Sequence, residues 1–210
     1  ISNWAIEKSC QQLRTWREQN PDLANVTMHV NISGYDLCQK TFAERVTKAL
    51  LRAGVLPHQL TLEITESILM DRLESARETM AYLRNLGVAL SVDDFGTGYS
   101  SLSYLSSLPI NSLKIDASFV QKLATNANDT EVVRAIVMLG RSLKKSVIAE
   151  GIETPAQLQL LRDLGCELGQ GFHLSKPVTG AQMAHVPVAT DALRDVLNRA
   201  SEAKVISLFA

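Results

Sequence analysis

Two adjacent aspartates, Asp93 and Asp94, follow directly on the apolar run Val88-Ala89-Leu90-Ser91-Val92. They lead into a glycine-punctuated loop, Gly96-Thr97-Gly98-Tyr99-Ser100-Ser101. Ionised carboxylates at the end of a buried strand are costly unless a cation compensates them. A glycine on each side of Thr97 lets the backbone turn sharply and approach a neighbour closely. Alone, the segment reads either as a metal site at a strand terminus or as an aspartate turn capping the next helix. Glu63, Lys114 and Glu150 turn the reading toward the first, because each breaks an otherwise apolar run. Glu63, Asp93, Asp94 and Glu150 would crowd four carboxylates into one small volume. Each like-charge pair a few ångström apart costs about 4 kcal/mol at an effective dielectric of about 20. Lys114 cannot offset that by itself. Hard divalent cations with oxygen ligands can, which points to Mg²⁺ or Mn²⁺ rather than zinc. An Asp-Asp pair suits a dinuclear arrangement, Asp93 bridging two ions and Asp94 binding one. Two ions about 3.5–4 Å apart are the usual device for in-line attack on phosphate esters.

These residues converge only if strands bring them together. Apolar periodicity predicts helices over 2–18, 41–53, 73–86, 131–143 and 155–164, with a helical turn at 102–105. Strands are expected at 26–33, 60–65, 88–93, 112–116, 146–150 and 166–172. Strands alternating with helices imply parallel pairing with right-handed crossovers. Parallel strands covered on both faces usually read as continuous apolar runs. Here each run is broken at the same late stage, by Asn31, Glu63, Asp93, Lys114, Glu150 and Gln170 in turn. In a (β/α) barrel that end is the carboxyl face, where active sites are built. The expected fold is therefore an α/β, TIM-like (β/α) barrel.

The bulk properties narrow the function further. The 210 residues are 46% hydrophobic and 20% charged with net charge -1, so no basic field speaks for DNA, RNA or a membrane surface. No apolar run reaches the length of a membrane span and no signal peptide is visible. Cys10, Cys38 and Cys166 form no CxxC pair, and the four histidines show no HxxxH spacing, so a thiolate or histidine zinc site is not expected. A reducing, cytoplasmic setting fits, for a parent that can itself be membrane-tethered. One domain is expected over residues 1–188. A helical extension follows over 189–210, marked by Leu193, Val196, Leu197 and Ala200 and capped by Thr190 or Asp191.

At VNIS, LEITES, DDFGTGYSSL, LKID, AEGIET and LGCELGQGF the chain resembles the EAL-domain phosphodiesterases, which hydrolyse cyclic di-GMP. The resemblance runs from about Ile1 to Pro187. It implies a modified TIM barrel that binds two Mg²⁺ or Mn²⁺ ions and opens the cyclic dinucleotide to linear pGpG. By the same resemblance, Asn31 and Glu63 ligate one ion, Asp93 bridges, and Asp94 and Glu150 hold the second. Lys114 holds and helps deprotonate the attacking water, and Gln170 helps position it. Glu66 anchors the loop Phe95–Ser101, which in the family links substrate and metal binding to dimerisation, and Gly98 of that loop lies on the substrate side. Asp116 and Glu153 are either substrate-side groups or plain hydrogen-bond partners. A homodimer is expected, with GGDEF or sensory domains elsewhere in a parent chain.

One departure stands out. The family's Glu-Ala-Leu signature and the phosphate-binding arginine that follows it lie on an early strand, and neither occurs in these residues. The chain is therefore expected to lack the first strands of the barrel, to form an open six-strand arc with two unpaired edges, and to be weak or inactive alone. Besides a metal-dependent phosphodiesterase, a degenerate EAL domain that senses cyclic di-GMP without cutting it is a candidate. A Schiff-base aldolase using Lys114 needs a lowered lysine pKa, which four nearby carboxylates oppose. Glycoside hydrolysis needs two carboxylates flanking the bond, which adjacent Asp93 and Asp94 cannot easily do.

Overall fold

The computed structural model describes residues 1–98, 102–123, 126–183 and 205–207. Its centre is a parallel sheet of strands β1 (Thr27–Asn31), β2 (Leu60–Thr65), β3 (Ala89–Phe95), β4 (Ser112–Ile115), β5 (Ser146–Ala149), β6 (Leu168–Gly169) and β7 (Val205–Ser207). The strand order is β6-β5-β4-β3-β2-β1-β7. Between them run helices α1 (Ser2–Gln19), α2 (Gly34–Leu37), α3 (Phe42–Ala53), α4 (Glu66–Leu86), α5 (Leu102–Ser107), α6 (Ala117–Gln121), α7 (Ala127–Ser142), α8 (Pro155–Asp163) and α9 (Gly180–Met183). Strand after helix after parallel strand is the arc of a TIM-like barrel, as the alternating pattern implies.

The sheet has two chemically different faces. Met28, Val30, Leu60, Leu62, Ile64, Leu90, Val92, Leu113 and Ile115 point outward and are buried. Against them pack α1 on β1, α4 on β2 and β3, and α7 on β4 and β5. The helix on β1 carries a matching stripe: on α1, Ala5, Ile6, Cys10, Leu13 and Trp16 are buried at helical spacing. The opposite, inner face carries His29, Thr61, Glu63, Ser91, Asp93, Ser112 and Lys114, all buried. The parallel register keeps those residues level, with His29 beside Thr61, Glu63 beside Ser91, and Ser91 beside Ser112. A slip of one residue would exchange the two faces, so the apolar outer stripe fixes where every inner polar group stands.

The structure corrects several expected boundaries. The expected helix 73–86 begins earlier, at Glu66, with a break at Arg72 (φ -125°, ψ 15°). The helices α2, α6 and α9 were not expected. Ser33 caps α2, its hydroxyl oxygen accepting from the Asp36 amide at 3.1 Å. The last expected strand, 166–172, pairs only over Leu168–Gly169. Beyond it the chain runs against the loop after β5: the Ile152 amide donates to Gln170 and the His173 amide to Ile152. A Cβ at Gly171 would overlap the Ile152 backbone, so only glycine permits this approach. The β1 edge, expected to be unpaired, is covered by β7, with Thr27, Met28 and His29 level with Val205, Ile206 and Ser207. That strand is the one described part of the expected helical extension; Leu193, Val196, Leu197 and Ala200 lie outside the described residues.

Burial also sets the reactivity of the thiols. Cys10 and Cys166 are each pushed up to about 11, by burial above all, which at Cys166 outweighs the opposing hydrogen bonds to the backbone of Leu168 and Ala149. Cys38 is half-buried. In the folded chain at pH 8, a thiol reagent such as DTNB is expected to modify Cys38 alone, with all three reacting after denaturation. Rapid modification of two or three thiols in the folded protein would contradict the core described here.

Candidate metal centre

Lys114 lies at the centre of the inner face, 3% exposed. Its ammonium contacts Glu63 Oε2 at 2.7 Å, Asp93 Oδ1 at 3.0 Å and Glu150 Oε1 at 2.7 Å. Strands β2, β3 and β4, with the residue just after β5, therefore meet at one nitrogen, and the curl of the sheet brings them within reach. Burial by itself would lower the lysine pKa, but Glu63, Glu150 and Asp93 carry it well above the ordinary lysine range. Lys114 is a fixed ammonium here, which removes the free amine that Schiff-base chemistry needs.

Adjacent residues on a regular strand point to opposite faces, so Asp93 and Asp94 need a device to act together. The pairing of β3 with β4 supplies it. Val92 lies beside Leu113 and Phe95 beside Ile115, so Asp93 and Asp94 both stand opposite Lys114 in a β-bulge. Asp94 sits at φ 53°, and its amide donates to its neighbour's Asp93 Oδ1 at 3.1 Å. Asp93, Asp94 and Glu150 consequently present oxygens all within 4.8 Å of one another. Burial pushes the Asp94 carboxyl up, reinforced by neighbouring Asp93 and Asp116. Glu150 is likewise raised, mainly by burial, despite the pull of Lys114. One ammonium has not neutralised this corner.

The other predicted residues surround it. Glu63 is buried, which by itself raises its pKa, yet hydrogen bonding from His29 and the charge of Lys114 hold it below the ordinary value. Glu66, the first residue of α4, accepts from the Gly96 amide at 2.8 Å, and Gly98 packs against the same carboxylate. At Gly96 (φ 102°) the backbone takes a left-handed turn that aims this amide at α4. The remainder of the loop, Tyr99 to Ser101, lies outside the described residues. Gln170 Oε1 is buried with no hydrogen-bond partner among the described residues. Asn31 is level with Glu63 at the end of β1 but exposed. Asp116 caps α6, accepting from the Ser118 amide at 2.9 Å, and is set beside Asp94. Glu153 is exposed, and its amide donates to Gln157 in the cap of α8. His29 was not foreseen: its Nδ1 is 2.7 Å from Glu63 Oε1. The signal was the two-residue period that singled out Asn31, since His29 precedes it on the same face.

The donors fit a hard divalent cation. Three carboxylate oxygens converge, two of the acids are pushed upward by burial and then by neighbouring carboxylates, and Gln170 offers an orphaned amide oxygen. Among the described residues no sulfur or imidazole completes this group, so zinc is a poor match.

A family model described as EAL domain matches residues 1–177. The bifunctional diguanylate cyclase/cyclic di-GMP phosphodiesterase MucR of Pseudomonas aeruginosa is 40% identical over 183 residues, 87% of this chain and 26% of that protein. The chain thus spans about a quarter of the length of curated relatives such as this one. The solved PaMucR phosphodiesterase complex with c-di-GMP aligns with a TM-score of 0.82 at 40% identity, covering 87% of this chain and 73% of that one. Klebsiella pneumoniae BlrP1, solved with manganese and cyclic di-GMP at pH 9.0, aligns with a TM-score of 0.72 at 29% identity, covering 81% and 43% respectively.

Removing Lys114 leaves buried carboxylates without their shared partner, a change that costs about 3–5 kcal/mol for a broken buried ion pair. Lys114→Ala is expected to lower the melting temperature in EDTA and to regain more of it than the unsubstituted chain does on adding Mn²⁺. Equal melting temperatures in EDTA would show that the carboxylates do not depend on this ammonium.

Proposed function

Because the chain belongs to the EAL domain family, we propose that it is the catalytic part of a metal-dependent phosphodiesterase that opens cyclic di-GMP to linear pGpG. The observation that carries this reading is the convergence of Asp93, Asp94 and Glu150 beside the Lys114 ammonium at the carboxyl ends of the strands. In the proposed assignment Asp93, Asp94 and Glu150 would hold one divalent cation, and Asn31 and Glu63 would join Asp93 in holding a second. Two such ions, Mg²⁺ or Mn²⁺, would supply Lewis acidity for activating water and for balancing charge on the phosphodiester.

The chain's own side chains do the rest. Lys114, fixed by three carboxylates, sets a positive charge beside the attacking water and stabilises negative charge as it develops. The free Oε1 of Gln170 accepts a hydrogen bond from that water and fixes its direction. Glu66 holds the Gly96 amide and backs Gly98, so the loop that flanks the substrate is tied to the first turn of α4. Asp116 and Glu153 stand on the substrate side of the same rim. A homodimer through this loop, and regulatory domains in a longer parent, complete the reading. No helix among the described residues is long and apolar enough to cross a membrane.

The test is hydrolysis of cyclic di-GMP by the chain, followed chromatographically with Mn²⁺, with Mg²⁺ and with EDTA. Because the Glu-Ala-Leu signature and the arginine after it do not occur in these residues, release of linear pGpG is expected to be slow with either ion and absent with EDTA. Binding of the dinucleotide without any cleavage would instead favour a receptor. Glu150→Ala is expected to reduce the rate more than about 100-fold, on the scale of losing a group that governs transition-state charge, with the circular dichroism unchanged. Lys114→Ala should lower kcat far more than substrate affinity, because its partner is the water rather than the dinucleotide. A Glu150→Ala chain cleaving at the original rate would remove Glu150 from the metal site.

A further inference from the structure

His29 and Glu63 form a contact on the inner face as enclosed as that of Lys114 with Glu63. The two side chains are 4% and 1% exposed, and Nδ1 lies 2.7 Å from Oε1. An ionised carboxylate can only accept, so the proton of this hydrogen bond belongs to Nδ1 of the imidazole. The other carboxylate oxygen, Oε2, is taken by Lys114 at 2.7 Å. Glu63 therefore has a different donor on each oxygen, and rotation about its last bond would break both contacts. The donors are not equivalent. Lys114 is shared with Asp93 and Glu150, whereas His29 serves Glu63.

We propose that His29 is a positioning residue for the phosphodiesterase chemistry: by donating Nδ1–H to Glu63 Oε1 it keeps Oε2 turned toward Lys114 and the divalent-cation site. This rests on the function proposed above, in which Glu63 is a metal ligand. A ligating carboxylate that is itself held by a hydrogen bond keeps its geometry when the ion binds, and loss of such a partner commonly costs 10–100-fold in metal affinity. Without His29, Oε1 is left buried and unpaired, and the carboxylate rotates to find another donor. Asn31, two residues along the same face of β1, is exposed and hydrogen-bonds to no atom of Glu63 among the described contacts, so it does not replace the imidazole.

The experiment uses the whole 210-residue chain. Long-range ¹H–¹⁵N NMR reads the imidazole tautomer of His29, and the EPR signal of free Mn²⁺ reads metal affinity. The Nδ1–H tautomer is expected, with Mn²⁺ affinity lowered about tenfold or more in His29→Leu. Most of it should return in His29→Asn, whose amide nitrogen stands near the position of Nδ1. Turnover of cyclic di-GMP should fall in kcat with KM little changed. Unaltered Mn²⁺ affinity in His29→Leu would overturn the role of His29 alone. Failure of the unsubstituted chain to bind Mn²⁺ would overturn the phosphodiesterase reading and this one with it. If His29→Leu does not fold, the tautomer still decides, because an Nε2–H imidazole cannot donate to Glu63 and would refute the proposal.

Discussion

The contact between Lys114 and the three carboxylates of Glu63, Asp93 and Glu150 sets the terms for everything around it. Buried carboxylates are tolerated only when each oxygen finds a donor or a cation. One ammonium with three donors can meet three acids only if their strands arrive at the same height. That height is a property of the sheet, and the sheet's register is held by the apolar outer face rather than by the polar site. Leu62, Ile64, Leu90, Val92, Leu113 and Ile115 are buried to within a few per cent. The site is thus positioned by residues that take no part in its chemistry.

Regular strands could not have produced the whole site. A period of two brings Glu63, Asp93 and Lys114 to one face, but it sends Asp94 to the other. The bulge opposite Lys114 and the left-handed backbone at Asp94 cancel that alternation for one residue. A non-glycine residue at positive φ is strained by about 1–3 kcal/mol, and such strain persists where surrounding structure insists on it. Here the amide of Asp94 bonds the Asp93 carboxylate, and the Asp94 carbonyl accepts from Thr97. The same loop then continues to Gly96 and its contact with Glu66. Backbone strain, the convergence of the carboxylates and the anchoring of the loop are one local arrangement.

Much of this was legible in the sequence. Alternating apolar runs gave the parallel architecture, because burial on both sides of a strand leaves a strong compositional trace. The late polar residue on each strand gave Glu63, Asp93, Lys114 and Glu150, which do meet. What was not legible depended on contacts between distant segments. The end of β6 is decided by the approach of Gly171 to Ile152, which no local pattern records. The early start of α4 depends on Glu66 reaching across to Gly96, so its apolar periodicity, beginning at Leu73, pointed too late. His29 escaped notice for a different reason: a histidine within an apolar strand reads as core until its partner is known, and Glu63 lies on the next strand.

The charge left over at the site links folding to binding. His29 and then Lys114 hold Glu63 below its ordinary pKa, yet Glu150 and Asp94 remain raised. The balance differs between the two halves of the cluster because their donors differ. Glu63 has two, one of them a positive charge, and both oxygens are satisfied. Asp94 faces two further acids, Asp93 and Asp116, and its burial adds to the penalty. A fold that needed only internal neutrality would place a second basic side chain there. Leaving acids under strain at one corner, while Lys114 and the Glu66 hydrogen bond hold the rest, preserves a shape complementary to a small doubly charged ion. The same residues that lower stability by their repulsion are those whose repulsion an ion would relieve. In this way the ammonium keeps the carboxylates ordered, and the charge it leaves uncompensated is what the proposed cation would relieve.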